Sequence, residues 1–404
     1  MLTKEQNRRV TLVEDEAPLG RLLRETYWLP FSRTQALEAG APPTRVRLVG
    51  EDYVAFRAED GRIGFFDEGC PHRGVSMALA RVEGCALRCI FHGWKIDVSG
   101  KLLEVPTEGA RSASVAERMR VPHYPTVEAG GLIWVFLGKG EPPAFPDLPF
   151  FGKRDDQLWM TRTLVPTNWL QGLEAALDSS HVGFLHKSWT ASDDQAERLA
   201  IVPDYDVEPT SYGMRAAAIR KSPDGSALLR VSQYFAPFIT LTPGSLTSEG
   251  REGSVFMAVP VDDLNHLLFW GLYNETAPVG DQSGFFMREA TFDPDDYACF
   301  DGDRANNWGQ DRAAMARGHF SGFTKRLLQE DVVVQISMGR IANRTRERLT
   351  HTDMAVQRCR LVLLDLLDRY EAGESIDGSL PDVSSATWPF GAVIPEGFDW
   401  REAR

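Results

Sequence analysis

Two short patterns, Cys70-Pro71-His72 and Cys89-Ile90-Phe91-His92, impose the tightest constraint on how this 404-residue chain folds. Each supplies one thiol and one imidazole, and the sixteen residues between Cys-x-His and Cys-x-x-His must return so that all four side chains can meet. The surrounding sequence reads as short β-type runs at 45–49, 53–56, 62–66, 87–90 and 95–98, with turn signals at 58–61 and 99–100. Both patterns therefore fall on loops of an all-β unit. Two thiolates and two imidazoles could hold zinc. Loops that each bring one Cys and one His suit a [2Fe–2S] cluster better, with the thiolates on one iron and the imidazoles on the other. Such ligation raises the reduction potential above that of an all-thiolate cluster and makes it an electron acceptor.

A further β run at 130–138 completes this unit, and four prolines within 139–152 mark a linker. Beyond it the pattern changes. A strand at 158–165 and a helix from about Thr167 lead into β runs at 205–209, 213–220, 227–241, 254–260 and 266–274, expected to form one antiparallel sheet. Near the end, Val356, Cys359, Leu363, Leu366, Leu367 and Tyr370 repeat on one helical face over 353–370, with Thr352 as the expected cap and Gly373 as the stop. A helix is also expected over 18–27. The fold class is α+β, divided into an N-terminal segment 1–25, a β domain 26–140, a linker 141–152 and a second domain 153–404.

The formal net charge of −13 lacks the basic footprint of a nucleic-acid partner. No apolar run reaches the roughly 18 residues of a membrane span, and the N-terminus has no signal-peptide pattern, so a cytoplasmic location is expected. Cysteines at 70, 85, 89, 299 and 359 are odd in number and scattered, which suits a reducing compartment. Cys85, Cys299 and Cys359 read as small apolar fillers.

The second concentration of chemistry is NWLQGLEAALDSSHVGFLH, 168–186, where Asp178, His181 and His186 share nine residues. Histidines five apart on an ideal helix point about 140° from each other, so a regular helix would not aim both at one ion. The helix is therefore expected to break between them, near Gly183. Two histidines with one carboxylate and open positions are the donor set of non-haem Fe(II) sites that bind O2. Glu330 and Asp331 are the candidates for a carboxylate from the C-terminal half. Arg215, Arg220 and Arg230 on the expected sheet could pair with a substrate carboxylate, and the five-residue spacing sends Arg215 and Arg220 to opposite faces. His123, His266, His319 and His351 lack metal-like spacing and read as surface or structural residues.

CPHRG at 70–74 and CIFHGW at 89–94 resemble the paired loops C-x-H-R-G and C-x-x-H-G-W of Rieske proteins at every fixed position. With Asn168, Trp169, Glu174, Asp178, His181 and His186 matching NW-x4-E-x3-D-x2-H-x4-H, nearly the whole chain resembles the Rieske non-haem iron oxygenases, in their phthalate 4,5-dioxygenase-like branch. The resemblance implies a [2Fe–2S] cluster on Cys70, His72, Cys89 and His92, and a mononuclear Fe(II) on His181, His186 and Asp331. It further implies that Asp178 bridges to His92 of a neighbouring subunit. The SMG, R-T-x-E-x-L and D-x-A-V series after Asp331 selects that residue over Glu330, and Arg348 stands where the family often has His. Also implied are a catalytic domain of helix-grip type, with the N-terminal segment packed on it. The expected partners are a flavin and iron–sulfur reductase drawing on NAD(P)H, O2, an aromatic substrate and further copies of the chain in a trimer or dimer of trimers.

Overall fold

Short β-type runs close into three small antiparallel sheets in the first third of the computed structural model, which describes residues 1–190, 192–244, 252–279, 293–298, 302–384 and 387–403. Two helices come first, α1 (Lys4–Thr11) and α2 (Pro18–Thr26). α1 is additional to the elements expected. Thr3 and Gln6 cap it reciprocally, each side chain accepting from the other's backbone N–H, and this signal is legible as T-x-x-Q. Then β1 (Trp28–Arg33) pairs with β10 (Leu132–Phe136), which also pairs with β9 (Thr126–Ala129). β1 too was outside the expected runs: nearly all of it is buried, so it lacks the polar–apolar alternation of a half-exposed strand.

β2 (Thr44–Leu48), β3 (Glu51–Arg57) and β4 (Ile63–Asp67) form a meander, as do β5 (Arg81–Glu83), β6 (Ala86–Arg88), β7 (Lys95–Asp97) and β8 (Leu102–Glu104). The first Cys/His loop follows β4 and the second joins β6 to β7. A separate small core lies beneath them, in which Cys70 and Cys89 pack with Phe56, Leu87 and Trp94. Residues 139–152 are irregular as expected, but they are packed rather than free. Phe145 lies edge-on to Trp28 and Trp134, Phe150 is fully buried, and Trp28 Nε1 donates to Pro143 O at 3.0 Å.

The second part is built on an eight-stranded antiparallel sheet. It comprises β11 (Leu158–Val165), β12 (Asp204–Thr210), β13 (Gly213–Lys221), β14 (Ala227–Phe235), β15 (Ile239–Pro243), β16 (Glu252–Asp262), β17 (Asn265–Asn274) and a late strand, β18 (Phe390–Ile394), in the order 11-17-16-15-14-13-12 with β18 paired to β14. The expected run 227–241 is thus two strands, broken at 236–238, where Pro237 has no N–H to give to a ladder. Helices α3 (Ser112–Arg118), α4 (Trp169–Leu177), α5 (Asp193–Ala200), α6 (Arg312–Ala316), α7 (Leu327–Ser337) and α8 (Met354–Glu371) complete the described α-helices. The large apolar core joins the face of α8 carrying Cys359, Leu363 and Leu367 to α4, α2 and the sheet. Thr352 is not the cap of α8. Thr350 and Asp353 instead cap each other across the 3-10 turn His351–Asp353, which runs into the helix. At the far end Gly373 adopts φ +78° and its N–H bonds Tyr370 O at 2.9 Å, which ends the helix as expected. The N-terminal helices dock on this half: Arg9 pairs with Asp368 at 2.6 Å, and Asn7 Nδ2 donates to Ala342 O at 3.2 Å. Among the described residues no helix is long and apolar enough to cross a membrane.

Candidate metal centres

The two Cys/His loops share one backbone design. In the first, Cys70 N–H bonds Val75 O and Gly74 N–H bonds Cys70 O, both at 2.8 Å. In the second, Cys89 N–H bonds Trp94 O at 2.9 Å and Gly93 N–H bonds Cys89 O at 3.0 Å. Each loop closes through a glycine at positive φ, +72° at Gly74 and +76° at Gly93, where a side chain would be strained. The result sets the Cys70 thiol beside that of Cys89 and the His72 imidazole beside that of His92. Cys70 and Cys89 are buried and not disulfide-bonded, and His72 and His92 bring their Nδ1 atoms within 3.1 Å of each other. Burial, with Cys89 alongside, pushes the Cys70 thiol up to about 11, so its thiolate needs a bound cation. Desolvation, His72 and Arg73 hold the His92 imidazole below its ordinary value, in the neutral form that ligates metals. Trp94 stacks on His72 at 4.7 Å with rings 6° from parallel, and Arg73 sits over Phe91 at 5.5 Å, tying one loop to the other.

The second centre hangs from α4. Asn168 caps the helix by accepting from Leu170 N–H at 3.2 Å, while its Nδ2 donates to Thr11 O and Asp263 O at 2.9 and 2.8 Å. The helix ends at Leu177, earlier than the expected break near Gly183. Asp178 is already extended, and its Oδ1 accepts from Ser180 N–H at 2.7 Å. A 3-10 turn, His181–Gly183, then replaces the helix. Gly183 is pressed against the backbone of α5: a Cβ there would lie 2.2 Å from Leu199 O. The turn removes the 140° divergence, and the two imidazoles lie 5.1 Å apart at 77°.

Asp331 on α7 meets both rings, with Oδ1 3.4 Å from His181 Nε2 and Oδ2 3.3 Å from His186 Nε2. One donor atom from each of the three residues falls within 4.8 Å of the others, a set able to hold a metal ion. Glu330, the other candidate carboxylate, points elsewhere. Successive helical residues diverge by about 100°, and its carboxylate instead meets His186 Nδ1 at 2.7 Å and accepts from the Ser321 hydroxyl. That contact fixes the His186 tautomer and turns Nε2 toward Asp331. Burial opposes a charge on His186, yet Asp331 and Glu330 raise its pKa to about 10. Burial likewise opposes the charge on Asp331, and the two histidines pull its pKa below the carboxylate range. This is an environment poised for a cation. Asp178 Oδ2 stands 3.8 Å from His181 Nδ1, beyond hydrogen-bond length.

A cavity of about 360 Å³ opens above these atoms, walled mainly by apolar side chains such as Val182, Leu268 and Trp270. Of the three candidate arginines only Arg230 reaches it. Arg220 is completely buried and turned away, donating to Ser179 O at 2.6 Å. Arg215 lies on the opposite face, where it bonds Glu208 at 2.9 Å and Ala403 O at 2.7 Å and covers Trp400. Neither placement fits a substrate partner. His123 and His351 are exposed and His319 half-buried, whereas His266 is fully buried with Nδ1 2.8 Å from Thr167 O; Cys299 lies outside the described residues.

Residues 27–125 match the Rieske [2Fe-2S] domain family and residues 135–404 the family described as LigXa C-terminal domain like. Among curated relatives, the phthalate 4,5-dioxygenase oxygenase subunit of Pseudomonas putida is 34% identical, covering 100% of this chain and 94% of its own. The 3-chlorobenzoate-3,4-dioxygenase oxygenase subunit of Comamonas testosteroni is 30% identical over 100% and 97%. The 5,5'-dehydrodivanillate O-demethylase oxygenase subunit of Sphingobium sp. (strain NBRC 103272 / SYK-6) is 29% identical over 93% and 82%. The crystal structure of dicamba monooxygenase bound to dicamba shares the fold, with a TM-score of 0.61 at 18% identity over 87% of this chain and 99% of that one. With both family domains present in order and a full-length relative at 34% identity, the chain belongs to the Rieske non-haem iron oxygenases, as an oxygenase component of the phthalate 4,5-dioxygenase-like branch.

Proposed function

We propose that this chain is the terminal oxygenase for an aromatic carboxylate, inserting both atoms of O2 as a cis-diol with two electrons and two protons. A flavin and iron–sulfur reductase fed by NAD(P)H is the proposed electron source. In this reading Cys70, His72, Cys89 and His92 hold a [2Fe–2S] cluster, and His181, His186 and Asp331 hold Fe(II). When bound, the mononuclear iron activates O2 with electrons delivered through the cluster. The chain's own residues set the conditions. Glu330 and Ser321 orient His186, and the apolar wall excludes water from the reacting ring.

Arg230 carries the substrate assignment. Arg230 lines a mainly apolar cavity that is also lined by His181, His186 and Asp331, so a ring held between them would present its carbon atoms to the metal and its carboxylate to the arginine. Asp178 is the proposed electron relay from His92 of the partner subunit, in a trimer or dimer of trimers. Exposed Ile90 and Phe91 beside the cluster loops, and exposed Phe184 and Phe320 beside the iron site, are apolar surfaces of the kind that a neighbouring copy would cover.

The test is product analysis with purified protein, a surrogate reductase, O2 and a panel of phthalates, chlorobenzoates and methoxybenzoates. A cis-dihydrodiol from a carboxylated ring is the expected product. The similarity to an O-demethylase oxygenase subunit favours one second reading, in which a methoxy acid yields a phenol, formaldehyde and water. Formaldehyde in place of diol would select it, and NADH oxidation without any product would refute both.

A further inference from the structure

The side chain of Gln335, in the cavity wall, has no role in the candidate metal centre, and its Oε1 is unpaired among the described residues. Gln335 lies one helical turn beyond Asp331 on α7, so both residues project from the same face. It lines the cavity, is 2% exposed, and its Oε1 has no hydrogen-bond partner among the described residues. Its backbone is fixed, however: the Gln335 carbonyl accepts from Gln171 Nε2 at 2.8 Å, anchoring this turn of α7 to α4. Two other polar groups of the wall are already engaged. Ser254 accepts from Trp270 Nε1 at 2.8 Å and donates to Gly271 O at 3.2 Å, and Arg230 donates to Pro243 O at 3.3 Å. A buried amide left unpaired is costly, and a ligand that supplies the partner recovers that cost.

We propose that Gln335 is a specificity-determining residue that pairs with a hydroxyl group on the ring, so that the preferred ligand is a hydroxylated aromatic acid. An amide presents a donor and an acceptor side by side. A hydroxyl is both, and pairs with the amide whichever way it is turned, whereas a methoxy oxygen has no proton to give and a bare ring offers neither. The inference rests on reading the cavity as an aromatic-acid site and adds the second polar contact to it.

Anaerobic titration calorimetry on the iron-loaded holoprotein tests it, with benzoate, the three hydroxybenzoates and the three methoxybenzoates as probes. One hydroxy isomer is expected to bind about 10-fold more tightly than benzoate and than its methoxy counterpart. Gln335→Leu should bring that isomer to within about twofold of benzoate, at unchanged iron and sulfide content, with benzoate's own affinity kept. Gln335→Met, closer in length, repeats the measurement if the leucine variant does not fold. Equal affinities across the panel in the unmutated protein, or an undiminished preference in both variants, would overturn the role of Gln335. Failure of every carboxylate to bind would overturn the aromatic-acid reading as well.

Discussion

His186 is held at both ring nitrogens, by Glu330 at Nδ1 and beside Asp331 at Nε2, and residue spacing alone left the choice between these two carboxylates open. Adjacent carboxylates both looked like ligands in the sequence, and only the helical offset separates the one facing the ion from the one behind the imidazole. Removing an orienting partner of this kind costs about 10–100-fold in metal affinity. Glu330→Ala is therefore expected to lose mononuclear iron on dialysis by that factor while keeping its acid-labile sulfide, and iron retention equal to the unmutated protein would refute the assignment. His266 makes a different residue-scale prediction. Burial lowers its pKa to about 4, against 6.5 for the free side chain, so between those values the unfolded chain binds the extra proton and stability falls as pH drops. The loss is about 2 kcal/mol between pH 7 and pH 5, present at neutral pH and removed on acidification. Thermal midpoints at the two pH values should fall less steeply in His266→Gln than in the unmutated protein, and equal slopes would contradict the buried neutral state. Nothing in the spacing of His266 announced this burial. It comes from the close approach of α4, where a Cβ on Gly172 would lie 2.5 Å from His266 Nε2.

Among the elements, α4 decides the geometry of the site, because its end delivers Asp178, His181 and His186. That a helix could not carry both histidines was legible from the 140° rule. Where it stops was not: the helix ends at Leu177, well before Gly183, and it is held by an ion-pair network contributed from far along the chain. Glu174, one turn before Asp178, bonds Arg344 at 2.8 Å and Arg360 at 2.6 Å, and Arg360 also bonds Glu347 at 2.6 Å. Both arginines are essentially buried, so this network pins α4 to α8 and to the segment before it. Breaking one partner of a buried pair leaves an uncompensated charge at a cost of about 3–5 kcal/mol. Glu174→Ala should then lower the unfolding free energy by that amount in denaturant titrations, and a change under about 1 kcal/mol would show the network to be solvated. Strands β10 and β17 were legible as apolar runs although both faces are covered. Strands β1, β5, β8, β9 and β18 lay outside the expected runs, and the split at Pro237 was missed because apolar composition continues through the break.

At the scale of the whole molecule, the sequence announced an all-β part bearing one Cys/His set and an α+β part bearing a two-histidine site. The matches at 27–125 and 135–404 agree with that order. Less legible was how the parts are tied. Residues 139–152 read as a Pro-rich linker yet are anchored through Phe145 and Phe150, whose partners Trp28, Trp134 and Tyr273 come from three separate strands. Helix α1 crosses to the C-terminal half through Asn7 and Arg9, contacts between residues more than 300 positions apart that no local pattern encodes. Two iron centres in one chain are the central claim, and metal analysis tests it most directly. Holoprotein reconstituted anaerobically with iron and sulfide should hold three irons and two acid-labile sulfides per chain, falling to two and two in His186→Ala. Two irons and two sulfides in the unmutated protein would contradict the mononuclear site, and zinc without sulfide would contradict the cluster.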